Sequence, residues 1–378
     1  MKKRSSAILL VATLCLATLT GCQRHDSEEE LLAKLIDSIY TPTYKEDSAA
    51  RCALARWAWD ELTDDQKARV KGEHADPDYF GLDTGDASLD DPLNADEIGE
   101  NEILIVSFGT SFNESRVEDI GGVEKAVAAA WPDWSVRRAF TSQIIVNHIL
   151  ARDDEKLDNV QQALDRAVAN GVKNLVVLPT LLMRGAEYDE AVGLVERNAD
   201  KFETVRIAEP LLGRSDASDA DKESAVKAVV AEAVRGAGYE SLGTAASGGV
   251  AFVLVGHGTS HAASVAYSQT QAKLGELGYD NVWIGTVEGK PESTELQAVI
   301  DAVAAAGYKK VVLRPFMVVA GDHAHNDIAG DDEDSWKSRF VASGKFESVD
   351  VQIAGLGRIA AIRDLYLSRL AETMEKAQ

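Results

Sequence analysis

Cysteine is nearly absent from this sequence: Cys15, Cys22 and Cys52 are the only three in 378 residues. Cys15 and Cys22 belong to an N-terminal leader and its end, so the mature chain has no pair to oxidise and must hold its fold by core burial. Basic residues are also scarce, with 39 Lys and Arg against 62 Asp and Glu and a formal charge of −23. Nucleic acid is thereby excluded as a partner, because a polyanion would meet a surface of its own sign. Between residues 72 and 115 there is no Lys or Arg at all. There is no H-E-x-x-H run, no Cys cluster, no G-x-G-x-x-G loop and no G-x-S-x-G elbow. These gaps remove the usual zinc hydrolases, dinucleotide enzymes and serine esterases. The apolar run from Ala7 to Leu19 is too short to cross a membrane comfortably.

What is present begins with that run. Lys2, Lys3 and Arg4 precede it and "LTGC" ends it, the layout of a secretory signal. The "LTGC" site resembles the lipobox of bacterial lipoproteins. Residues 1–21 therefore read as a lipoprotein signal peptide, and Cys22 as the acylated first residue of the mature chain. The expected location is the extracytoplasmic face of the cell membrane, with the lipid anchor as the only membrane contact.

Residues 22–101 read as an N-terminal helical region and an acidic linker. Leu31, Leu32, Leu35, Ile36 and Ile39 keep a helical period, and a second helical stretch runs from about Ser48 to Val70. "GLDTGDASLDDPLNADEIGENE" is expected to be a solvated spacer, with an extended wrap around the body as the alternative. From Glu102 the pattern changes to short apolar runs alternating with amphipathic helices. "ILIVSF", "NLVVLP", "FVLV" and "KVVLRPF" are the clearest strands, and the alternation predicts α/β units with parallel sheets.

The α/β region repeats itself. "ILIVSFGTS" at 103–111 matches "FVLVGHGTS" at 252–260, and "GVKNLVVLPTLLMRGAEY" at 171–188 matches "GYKKVVLRPFMVVAGDHA" at 307–324. Gly171, Pro179 and Gly185 fall on Gly307, Pro315 and Gly321. The repeat implies two duplicated α/β domains, over residues 102–240 and 248–378, with a cleft between them. In the aligned copies, Phe108 stands opposite His257 and Glu187 opposite His323. These positions lie just past strand ends, where open α/β sheets bind ligands. His257, His323 and Glu187 are therefore expected to meet in the cleft, as a metal site or an acid–base site. The plain alternative is a pair of hydrogen-bonded structural histidines. The repeated "GTS" is better read as a tight turn than as a nucleophile, with Thr110 and Thr259 each capping the next helix.

"VSFGTSFNESR", "AFTSQIIVNHIL", "GAEYDE", "GHGTSHAAS" and "VVAGDHAHNDIAGDDEDSWKSRF" strongly resemble the anaerobic sirohydrochlorin cobaltochelatase family, class II chelatases related to ferrochelatase. The resemblance covers roughly residues 102–370 and implies two α/β domains around a tetrapyrrole cleft. It implies His257 and His323 as metal-site histidines, Glu187 as the glutamate of the "G-x-E-Y" motif, and Glu288 of "GTVEGKP" as a further metal-site glutamate. One departure is Leu181, where relatives commonly carry a histidine. Arg184 and Arg314, inside the repeated motifs, are candidates to receive substrate carboxylates; solvated surface arginines are the alternative.

The expected function is insertion of a divalent metal, cobalt first and iron or nickel as alternatives, into sirohydrochlorin or a similar tetrapyrrole, in the cobalamin-biosynthesis class. The competing readings are an exported, non-enzymatic tetrapyrrole or metal carrier and, more weakly, metal-dependent hydrolysis in the same cleft. Assembly into a homo-oligomer is left open. The leader generates the first prediction. Cys22→Ser should shift the protein from the membrane fraction to soluble material or unprocessed precursor; unchanged fractionation and mature mass would contradict a lipid anchor at Cys22.

Overall fold

The computed structural model describes residues 26–213 and 219–375. The leader and Cys22 lie outside them. The chain forms two compact units, the first built from residues up to Gly85 together with Ser142–Leu157, the second from Asp86–Thr141 together with the chain from Asp158 onward. Among the described residues, no helix is long and apolar enough to cross a membrane.

The first unit is helical. Helix Glu28–Ile39 starts with a Ser27–Glu30 capping box, which satisfies two of its first amide groups. Its Leu32, Leu35, Ile36 and Ile39 pack with Cys52, Trp59, Leu62 and Phe80 in one core. A helix from far along the chain, Gln143–Asp153, completes the unit. Asn147 there donates to the Ile39 carbonyl at 2.8 Å and its own carbonyl receives the Cys52 thiol at 3.3 Å. Trp57, by contrast, stays partly exposed.

The second unit carries the repeat. Its strands are β1 (Asn101–Ser107), β2 (Ser135–Phe140), β3 (Asn174–Pro179), β4 (Thr204–Ile207), β5 (Val250–Gly256), β6 (Val282–Thr286), β7 (Lys310–Pro315) and β8 (Ser348–Val351). They form two parallel sheets of identical order, β2-β1-β3-β4 and β6-β5-β7-β8. In each, two strands that are buried along almost their whole length take the centre, where helices cover both faces. Ile103–Val106 of β1 and Ala251–Val255 of β5 are wholly buried. The sheets share a core: Ile103, Val176 and Val229 from the first copy belong to one apolar cluster with Phe252, Leu254 and Ile362 from the second.

The copies are also joined by a buried carboxylate. Asp119 sits in a π-helical turn, Arg116–Ile120, with no solvent exposure. It accepts from the Ala320 and Gly355 amides at 2.9 and 3.2 Å and from Arg358 Nε at 2.9 Å.

The acidic segment departs from the expectation of a solvated spacer. The Asp90 side chain is buried and bonds Arg116 Nε and Arg138 Nη1, each at 2.6 Å, while Glu124 pairs with the other edge of the Arg138 guanidinium. The Leu93 carbonyl accepts from Arg137 Nε at 2.8 Å and the Ala95 carbonyl from Arg137 Nη1 at 2.6 Å. This stretch is an extended wrap that supplies a carboxylate to Arg138 and two carbonyl acceptors to Arg137, guanidinium groups that β2 buries.

The Asp119 contact yields a stability prediction. Asp119→Ala leaves one guanidinium and two amides without their acceptor, at a cost of about 3 kcal/mol. Asp119→Asn, which keeps one acceptor oxygen, should fall between. Denaturant midpoints of the three proteins check this, and an unchanged midpoint for Asp119→Ala would refute it.

Candidate active site

The strand β5 ends at Gly256 and the chain turns through Gly258, whose φ of +90° favours a residue without a side chain. His257 is carried on this turn. Thr259 does not cap a helix; its hydroxyl accepts the amide two residues on, at 3.1 Å, and Thr110 does the same in the first copy. Both close local turns that fix the segment after a central strand. His323 comes after β7 and opens a π-helical turn, Ala324–Ile328, a local irregularity common at functional sites.

The two imidazoles meet. His257 Nε2 lies 3.1 Å from His323 Nε2, with the rings edge to face. Each ring is held from behind. The Gly258 carbonyl can only accept, so it takes the Nδ1–H of His257 at 2.8 Å. The Asp327 carboxylate likewise takes the Nδ1–H of His323, at 2.6 Å. Both Nε2 atoms are thus turned towards one point. Cis ligands of one divalent ion, at roughly 2.1 Å from it, stand about 3.0–3.4 Å apart. The observed spacing already fits that span.

In the metal-free site only one proton fits between the two nitrogens. The hydrogen bond to Asp327 raises the His323 pKa above its ordinary value, against the opposing effect of burial. A cation seeking both nitrogens must displace any proton held between them.

One of the two predicted glutamates stands beside the pair. Glu288, two residues beyond β6, places Oε1 3.9 Å from His257 Nε2. Its amide also bonds the His257 carbonyl at 2.9 Å. Glu187 is exposed in the first turn of helix Ala186–Asn198 of the first copy. Glu187 and Glu288 both act electrostatically on the buried Tyr267 hydroxyl, whose pKa burial and these charges push up to about 12. The same helix brings Asp189 to 3.3 Å from His261 Nε2. Because His261 Nδ1 accepts the Ala263 amide at 3.1 Å, His261 joins the two copies and does not turn that nitrogen into the site. His325 stacks on Phe112, centroids 4.2 Å apart. Among the described residues, no group of three His, Cys, Asp or Glu side chains is closed enough to hold a metal ion unaided.

The arginine candidates stand elsewhere. Arg314 is 3% exposed, with its Nη1 bonded to Gln352 at 2.8 Å, so it does not stand at the surface to meet a substrate carboxylate. Its alternation within β7 turns it into the protein. Arg184 is half-buried, paired with Glu209 through Nε at 2.8 Å and lying over the Tyr188 ring. Leu181 contributes its carbonyl to Tyr366 and the Leu211 amide. Sequence reasoning missed Asp327 and Tyr267. The His-x-x-x-Asp spacing, which puts both residues on one helical face, was the available signal for Asp327.

This geometry carries a pH dependence. Cobalt binding to the tetrapyrrole-free protein needs neutral His323, so affinity should rise with pH through its elevated pKa, by about tenfold per unit below it. Asp327→Asn should move this profile to lower pH. Titrations monitored by cobalt visible absorption between pH 5.5 and 8 check it; superimposable profiles for the two proteins would be the contrary result.

Known proteins share this fold and sequence. The family described as cobalt chelatase (CbiK) matches residues 101–375. The sirohydrochlorin cobaltochelatase of Salmonella typhimurium is 32% identical over 275 residues, covering 73% of this chain and 97% of that protein. The sirohydrochlorin cobaltochelatase CbiKC of Nitratidesulfovibrio vulgaris is 32% identical over 244 residues, 64% of this chain and 80% of that one. Among solved structures, SirB from Bacillus subtilis with Fe3+ superimposes with a TM-score of 0.51 at 16% identity, over 74% of this chain and 98% of that one, a likeness of fold.

Proposed function

The chain belongs to the cobalt chelatase (CbiK) family, and on that premise we propose that it inserts a divalent metal, cobalt foremost, into sirohydrochlorin or a closely similar tetrapyrrole. The observation that carries this reading is the pair of imidazole nitrogens 3.1 Å apart, each backed by an acceptor on its other nitrogen. The reaction exchanges two pyrrole N–H protons for one divalent ion. His257 and His323 hold the ion on its way in and are freed to accept protons as it leaves. Glu288 adds negative charge beside His257. Glu187, supplied by the other copy, is the second proton acceptor in this reading. Arg184 remains a candidate contact for a substrate carboxylate, provided it exchanges Glu209 for it.

Iron and nickel are the alternative metals. An exported, lipid-anchored position is supported by the "LTGC" site at Cys22. Export also supports one competing reading, a carrier that keeps the fold without turnover, since a carrier needs no release of product.

Alanine at His257 or His323 should lower the insertion rate by at least about a hundredfold. The thermal midpoint should change little, as is usual away from the core, and tetrapyrrole binding should survive within a few-fold. Wild-type protein should complete many turnovers with cobalt. Near-normal insertion in either folded variant would refute the site. A single equivalent of tetrapyrrole held without exchange, and no multiple turnover with cobalt, iron or nickel, would favour the carrier.

A further inference from the structure

The ring of Tyr267 lies under the turn that carries His257. Tyr267 is on helix Val265–Glu276 and is 3% exposed. Gly256 has no side chain there, and a Cβ at that position would run into the Tyr267 ring. The ring is therefore pressed against the end of β5, immediately before His257. Its hydroxyl oxygen accepts the Gly258 amide at 3.2 Å. The carbonyl of the same Gly258 accepts from His257 Nδ1 at 2.8 Å. On its other side Gly258 is closed in, since a Cβ there would meet Glu288 Cβ at 3.0 Å and Thr286 Cβ at 3.1 Å.

We propose that Tyr267 is a positioning residue for metal binding: its hydroxyl pins Gly258, and Gly258 in turn fixes the tautomer and direction of His257. The proposal rests on the reading of His257 as a metal-holding group. The path is continuous and short. The phenol oxygen orients the amide of Gly258, the left-handed backbone at Gly258 sets where its carbonyl points, and that carbonyl holds the proton on His257 Nδ1. His257 Nε2 is then the unprotonated nitrogen facing His323. Without the hydroxyl, Gly258 has no side-chain anchor among these contacts, and glycine has the widest choice of alternative backbone conformations. An imidazole released from its carbonyl can place its proton on either nitrogen, and only one tautomer leaves Nε2 free to bind. Tyr267 touches neither metal nor tetrapyrrole in this scheme, so it acts through His257 alone.

The test is Tyr267→Phe in the full chain, which removes one oxygen and keeps the packed ring. Two readouts are combined. In metal-free protein, nitrogen-15 NMR of the histidine rings, with His257→Ala to assign the signal, should show a single Nδ1–H tautomer in the wild type and a mixture in Tyr267→Phe. Cobalt affinity without tetrapyrrole should fall by about tenfold. The KM for cobalt should rise to match, while the KM for the tetrapyrrole stays within about twofold. In a His257→Ala background, Tyr267→Phe should cause no further loss. Difluorotyrosine in place of Tyr267, which keeps ring and hydroxyl but weakens the oxygen as acceptor, should give a smaller change in the same direction.

An unchanged tautomer or an unchanged cobalt affinity in folded Tyr267→Phe overturns the proposal. So does an equal loss in the His257→Ala background, which would mark general loosening of the fold. If His257→Ala alone binds cobalt like the wild type, the reading of His257 as a metal-holding group fails. That result is distinct, because the NMR signal reports on the tautomer without any metal.

Discussion

The two copies of the repeat are set against each other at one buried polar contact, the Asp119 carboxylate, and the loop that carries His323 starts from it. The carboxylate comes from the first copy and is satisfied wholly by the second, through Ala320, Gly355 and Arg358. Burial pushes its pKa up, and the amides and the guanidinium counter that shift. Such a group contributes little net stability compared with apolar packing, yet removing one partner is costly. What it adds is direction. A shared apolar core lets two surfaces slide by a fraction of a side chain, whereas a carboxylate with three donors accepts one arrangement. Ala320 stands three residues before His323, so the same contact that joins the copies sets the loop carrying one imidazole.

Duplication accounts for the site's asymmetry. Both sheets have the same strand order and both central strands end in a glycine turn of positive φ, Gly109 and Gly258. The frame therefore offers equivalent strand-end positions in each copy, and the chain fills them differently. The second copy places His257 and His323 at its two positions, while the first places Phe108 and Glu187 at the matching ones. Phe108 is exposed. One copy thus supplies nitrogen donors and the other a carboxylate and an apolar ring. A reaction that brings a cation to a tetrapyrrole and removes protons can use that difference, which two identical sites would not provide.

The sequence showed the central strands because β1, β3, β5 and β7 are buried on both faces and read as apolar runs, that of β7 interrupted by Arg314. It did not show β2. "SVRRAF" places Arg137 and Arg138 in the interior, and nothing local reveals that Asp90, Glu124 and the carbonyls of Leu93 and Ala95 wait to receive them. For the same reason the acidic segment read as a spacer: Asp90 becomes structural only when partners distant in sequence are brought to it. Strand-end positions of His257 and His323 were legible through the repeat, since alignment of the copies transfers geometry from one to the other. Tyr267 was not, because a phenol reaching back from a helix to a strand-end amide leaves no pattern at any fixed spacing. Arg314 illustrates the converse: a repeated motif marks a frame, and a charged residue within it can serve the interior.

The donor arrangement also bears on why the site is open. A structural metal site closes four ligands around its ion and holds it against exchange. A chelatase needs the opposite balance, since its metal is a substrate and must pass to four pyrrole nitrogens. In the proposed reading, two imidazoles at cis spacing, with Glu288 Oε1 nearby but 3.9 Å from His257 Nε2, would hold the ion through few contacts and leave room for the incoming ring. Their strength comes from orientation, through Gly258 and Asp327, and not from number. Orientation lowers the cost of capturing the ion, and the small number of contacts keeps the well shallow enough for it to escape. In the proposed reading the same two Nε2 atoms would also serve as acceptors for the pyrrole protons once the ion has moved to the ring.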